Sequence, residues 1–190
     1  MEPWMWWAIG GGVVVLVGLF VIITYNGLVS RKLEATNAWS QINVQLQRRH
    51  DLIPNLVETV KGYAKHEQGT LEKVIQARNS AISAGSVADK AQAETQLTSA
   101  VRGLLAIAEA YPDLKANQNF LALQEELTAT ENRIGFSRQH YNDVVTQFNQ
   151  AILQFPANMV AGLLGFHPAD FFNLDPAEAA AVKQVPKVQF

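Results

Sequence analysis

Phe120 to Phe155 reads FLALQEELTATENRIGFSRQHYNDVVTQFNQAILQF. Phe120, Leu123, Leu127, Thr130, Ile134, Ser137, Tyr141, Val144, Phe148, Ala151 and Phe155 recur in alternating steps of three and four for five heptads, up to Pro156. An α-helix turns once in about 3.6 residues, so this spacing puts all of these side chains on one stripe. A strand would alternate with period two, and no segment of this chain does so for any length. The spacing therefore predicts an all-α fold with sheet content near nil. Heptads sustained this far predict long helices packed in coiled-coil-like fashion.

The same period governs the chain upstream. Trp39, Ile42, Leu46, Arg49, Ile53, Leu56, Val60 and Tyr63 share one stripe, and Leu28 and Ala35 extend it backwards. Pro54 lacks a backbone donor and should kink this helix rather than end it, because the stripe continues beyond it. Gly69-Thr70 is the expected joint to a second helix, carrying Leu71, Val74, Ala77 and Ala81. Ser83 to Ser86 reads as a turn. Ala93, Leu97, Ala100, Leu104, Ile107 and Tyr111 mark the next helix, with Pro112 closing it and a new start near Lys115. Residues 31–156 are thus expected to form an antiparallel bundle of long helices.

Ahead of the bundle, Trp4 to Tyr25 reads WMWWAIGGGVVVLVGLFVIITY, and no charge occurs from Pro3 to Ser30. A run of about 20 apolar residues, rising 1.5 Å each, crosses a hydrocarbon core of roughly 30 Å. Trp4, Trp6, Trp7 and Tyr25 are the amphipathic rings that settle at headgroup depth. A cleavable signal would need a basic start and a small-x-small cleavage site, and neither is present. Residues 1–30 therefore read as a single-pass transmembrane anchor. Arg31 and Lys32 follow it, whereas only Glu2 precedes it. The positive-inside rule then puts the bundle in the cytoplasm and a short N-terminus outside. The anchor and first bundle helix could form one rod from Trp4 to Lys65, with Gly27 the place to bend.

Residues 157–190 change character. Met159 to Phe166 is short and apolar, too short to span a membrane, and reads as a cap or as a patch touching lipid or another subunit. The ending Val185 to Phe190, VPKVQF, has extended, proline-punctuated chemistry suited to a tail.

Composition narrows the chemistry. There is no cysteine, which excludes disulfides, thiol catalysis and thiolate-bound zinc. A net charge of −2 argues against a generally basic nucleic-acid binder, and no nucleic-acid partner is expected. His66-Glu67 starts a zinc-protease motif, but Thr70 stands where its second histidine belongs. The residues three before His50, His66, His140 and His167 are Gln47, Tyr63, Ser137 and Leu164, so no di-iron Glu-x-x-His pair exists. His50-Asp51-Leu52-Ile53-Pro54 lacks both the spacing and the nucleotide-binding segment of a histidine kinase. No nucleophile elbow or phosphate-binding glycine loop occurs. No catalytic, cofactor or metal residue is assigned. A pocket of Glu58, His66 and Glu109 is the weakest of the readings.

One polar residue demands a partner. Arg49 lies in the apolar stripe and needs a carboxylate, with Glu109 or Glu131 the candidates for an interhelical network. Leu163, Leu164, Phe171, Phe172 and Phe190 form the candidate interaction surface.

Three longer stretches carry a family resemblance. Asn37 to Arg78 (NAWSQINVQLQRRHDLIPNLVETVKGYAKHEQGTLEKVIQAR), Glu109 to Ile134 and Arg138 to Asn149 closely resemble signature segments of the bacterial LemA family. The final Pro186 to Phe190 is similar to the family's usual ending. The resemblance implies a bacterial single-pass membrane protein with a helical bundle, and supplies no catalytic residues. The expected function is a non-enzymatic, membrane-anchored scaffold that self-assembles as a homo-oligomer. The alternative is an adaptor or regulator of another membrane protein, such as a protease or transport system.

Overall fold

In a computed structural model of the chain, residues 2–64 and 66–173 are described. The tail Val185 to Phe190 lies outside the described residues. Among the described residues, six helices follow one another: α1 (Pro3–Tyr63), α2 (Gln68–Ser83), α3 (Val87–Ala108), α4 (Pro112–Lys115), α5 (Gln118–Leu153) and α6 (Ala157–Leu163). No strand occurs among the described residues. The fold is all-α, a long apolar N-terminal helix leading into a helical bundle.

Helix boundaries follow local chemistry. α1 runs unbroken past Gly27 and through Pro54. It ends at Tyr63, so the first joint is Ala64 to Glu67 rather than Gly69-Thr70. Gly69 and Thr70 instead occupy the first turn of α2, where several backbone N–H groups have no intrahelical partner in any case. The Ser86 hydroxyl accepts from Asp89 N–H at 3.0 Å and donates to the Asp89 carboxylate at 2.7 Å, capping α3. Pro112 opens α4 instead of closing the preceding helix. Its missing N–H costs nothing at a first helical position. Asn117 caps α5 by accepting from Phe120 N–H at 3.1 Å.

The chain divides into two compact units, one from Met1–Ala38 and Asp143–Ala169, the other from Trp39–Asn142 and Asp170–Phe190. In the second unit α1 and α5 are antiparallel. The Trp39 and Tyr141 rings lie tilted with centroids 5.4 Å apart, Arg49 meets Glu131, and Tyr63 Oη accepts from Asn117 Nδ2 at 2.9 Å. α3 is parallel to α1, since Asn43 meets Lys90 and Arg49 meets Glu94. Between them lies a core of Ile53, Leu56, Val60, Val74, Leu97, Leu104 and Leu114, all inaccessible to solvent. Full burial of such side chains contributes about 1.5–3 kcal/mol each.

In the first unit, Leu28 of α1 is buried against Phe148 and Ile152 of α5 and Ala161 of α6. Gly165, at φ +72°, ends α6: Leu164 N–H bonds to Val160 O and Phe166 N–H to Ala161 O. This left-handed glycine closure turns the chain so that Phe166 lies edge-on to Tyr25, with ring centroids 6.0 Å apart. Upstream, α1 leaves Trp7, Val14, Leu16 and Ile23 largely exposed. That apolar helix fits a membrane anchor.

Candidate functional site

The most concentrated polar chemistry lies inside the second unit. Arg49 and His50 of α1 and Glu94 of α3 are all buried, Glu94 completely. The Glu94 carboxylate accepts from Arg49 Nη1 at 3.1 Å and lies 2.6 Å from His50 Nε2. Arg49 Nη2 donates to Thr98 Oγ1 at 2.7 Å, and Arg49 Nε lies 3.5 Å from the Glu131 carboxylate. A guanidinium offers five donors in a fixed fork, and here α3 and α5 receive different edges of it. Arg48 pairs with Glu126 at the exposed margin.

This network joins Arg49 and Glu131 but not Glu109. The physical reason is register. α3 runs parallel to α1 and offers Glu94 opposite Arg49. Glu109 stands fifteen residues further on, about 22 Å along a helix. Its exposed carboxylate accepts from Lys115 Nζ at 2.9 Å. Glu94 is the member that sequence reasoning missed. Its signal was available: besides Asp89 in the first turn, it is the only acidic residue within α3.

The proposed pocket of Glu58, His66 and Glu109 has no buried member, and Glu58 pairs with Lys61. Among the described residues, no group of His, Asp and Glu side chains is placed to hold a metal ion.

Phe172 does not belong to an exposed interaction surface. It is completely buried, its ring 5.3 Å from that of Trp39, because packing a phenyl edge-on against an indole removes both from water. Asn142 clasps its backbone: Oδ1 accepts from Phe172 N–H at 3.0 Å and Nδ2 donates to Phe172 O at 3.3 Å. Tyr141 Oη donates to Asp170 O at 2.8 Å. Burial, and secondarily the Asp170 charge, push the Tyr141 phenol up to about 12. Phe171 is half-buried, and Phe190 lies outside the described residues. Leu163 and Leu164 remain exposed, at 86% and 49%. In the first unit, Asn149 clasps Ala169 in the same way, accepting from its N–H at 2.8 Å and donating to its carbonyl at 3.0 Å.

Two further surface features stand out in the second unit. Phe136, midway along α5, is 72% exposed. An open groove of about 960 Å³ lies between the end of α1 and α2, lined by Val57, Lys61, Leu71, Glu72 and Ile75 among others.

The LemA family model matches residues 38–190. Protein LemA of Metamycoplasma hominis is 29% identical over 179 residues, covering 90% of this chain and 78% of that protein. Magnetosome protein MamQ 2 of Paramagnetospirillum magneticum is 24% identical over 183 residues, covering 83% of this chain and 67% of that protein. Magnetosome protein MamQ of Magnetospirillum gryphiswaldense has the same identity and coverage.

Proposed function

The chain belongs to the LemA family, and from that premise we propose that it is a non-enzymatic, membrane-anchored scaffold that self-assembles as a homo-oligomer. The anchor is the first part of α1, held by lipid, in a bacterial inner membrane with the bundle on the cytoplasmic side. Arg31 and Lys32 support that orientation. The resemblance to magnetosome proteins is in keeping with a role in organising a membrane.

One observation carries self-assembly: Phe136 stands 72% exposed on α5, off the stripe through which Phe120, Leu127, Ile134 and Phe148 of that helix are buried. Val44 and Leu121 are also exposed in that unit. A partner surface would cover such rings and side chains, and amides around them, such as Asn132 and Gln124, hydrogen-bond across subunits without the desolvation penalty of buried ions. The buried charges Arg49 and Glu94 are engaged with each other, which supports a structural role for them.

The test is the mass of the full-length protein extracted gently from membrane, with imaging of the same sample. A large, uniform assembly supports the reading, and Phe136→Glu should dissolve it while leaving helicity intact. A monomer would overturn it. The groove between α1 and α2 favours a second reading, an adaptor for another membrane protein, in which a partner helix rests on Leu71 and Ile75. Co-purification lost on Ile75→Glu would identify that case.

A further inference from the structure

We propose that the α6 turn is a second lipid contact, in which Phe155, Met159 and Leu163 enter the headgroup–acyl boundary of the leaflet that holds Tyr25. The inference rests on the reading of α1 as a membrane anchor, and every residue it uses lies in one compact unit.

Depth is the first observation. Tyr25 ends the apolar run, so its ring marks one interface. Leu28 lies one turn further, about 4.5 Å along the axis. Leu28 is buried by Phe148, Ile152 and Ala161, and Tyr25 itself touches Phe166. α6 and the end of α5 are therefore fixed to α1 at headgroup depth, not at some distance into water.

The second observation is what this segment leaves uncovered at that depth. Phe155 is 80% exposed, Met159 62% and Leu163 86%. Met159 and Leu163 lie four residues apart on one face of α6, while Val160 and Ala161 are buried on the other. These apolar side chains are thus exposed on a segment that is packed against α1 where its apolar run ends. Charge agrees with this placement. Lys32 Nζ lies 6.0 Å from the Phe166 ring centroid, putting an ammonium beside the same turn, where lipid phosphates lie. An interfacial segment with apolar side chains inward and a cation at headgroup level is what anionic bilayers hold.

The chain has no native cysteine, so a single introduced thiol can be labelled uniquely. Full-length Leu163→Cys and Val14→Cys would carry an environment-sensitive fluorophore in vesicles of equimolar phosphatidylcholine and phosphatidylglycerol. The same dye on free cysteine is the aqueous reference. The Leu163 label should be several-fold better shielded from iodide than the reference. It should also be quenched by lipid bearing a doxyl group near the headgroup more strongly than by one deep in the acyl chain. Val14 should show the opposite order of depth. If the Val14 label meets lipid while the Leu163 label is open to iodide, the proposal is overturned and the anchor stands. If Leu163 is shielded from iodide yet untouched by either doxyl lipid, another protein copy covers it, and the proposal is again overturned. If Val14 itself escapes lipid quenching, the anchor reading falls and takes this one with it.

Discussion

Arg78 supplies the donor that the backbone carbonyl of His50 would otherwise lack: its side-chain Nε–H donates to the His50 carbonyl oxygen at 2.7 Å. In a regular helix that oxygen accepts from the residue four positions on. Here that residue is Pro54, which has no N–H. A helix can thus carry a proline in its interior because a neighbouring helix serves the orphaned carbonyl. Arg78→Met should destabilise the full-length protein by about 1–3 kcal/mol, the cost of leaving a buried acceptor unserved. In a Pro54→Ala background the backbone can supply its own donor, and the same substitution should cost less. Urea midpoints of the four proteins in one detergent give the coupling. Strict additivity would mean that Arg78 does not substitute for the missing donor.

Glu94 is the counter-charge of Arg49, and both are sealed from water. Glu94→Gln keeps the shape and one acceptor but leaves the guanidinium with Glu131 as its remaining counter-charge, at 3.5 Å and partly exposed. Breaking a buried pair on one side costs about 3–5 kcal/mol, so the thermal midpoint should fall sharply. Replacing both residues together, as Arg49→Met with Glu94→Leu, should recover most of the loss. A double variant as unstable as the single one would show that the network does more than neutralise itself.

Tyr141 links stability to alkaline pH. An unfolded phenol ionises near 10, whereas this one is pushed up to about 12 by burial first and by the Asp170 charge second. Between those values the unfolded chain has lost a proton that the folded chain retains. Stability is therefore fully present below about 10 and falls as pH rises from there towards about 12. The ultraviolet difference titration between wild type and Tyr141→Phe should have its midpoint near the upper value. A midpoint near the ordinary phenol value would contradict the burial of the hydroxyl against Asp170.

The heptad stripes made the helices legible, because apolar spacing is a property of one segment at a time. The apolar run likewise marked the long N-terminal helix that fits a membrane anchor. Partners across helices were harder, because they depend on register. Arg49 announced a need for a carboxylate, but only the parallel run of α3 beside α1 brings up Glu94 rather than Glu109. The aromatic burial of Phe172 was hidden for a related reason. It depends on Asn142, whose amide looks like an ordinary surface group until the Phe172 backbone lies against it. Pro112 misled in the opposite direction: a proline that cannot continue one helix is equally suited to begin another.

Two threonines, one buried and one half-buried, should respond to the same substitution with opposite signs. Thr130 is completely buried on α5, and its hydroxyl has no hydrogen-bond partner among the described residues. Valine has the same branched shape without that oxygen, so Thr130→Val removes a desolvated, unserved group and should stabilise by about 1 kcal/mol. Thr98 differs, because its hydroxyl accepts from Arg49 Nη2 at 2.7 Å and donates to the Glu94 carbonyl at 2.9 Å. Thr98→Val deprives a buried guanidinium of an acceptor and should destabilise by about 1–3 kcal/mol. β-propensity, helix propensity and side-chain entropy change almost equally in the two cases, since both sites lie within helices. The difference in urea midpoint therefore isolates hydrogen-bond satisfaction. Shifts of the same sign would mean that the hydroxyls are not in the unequal environments that α3 and α5 give them.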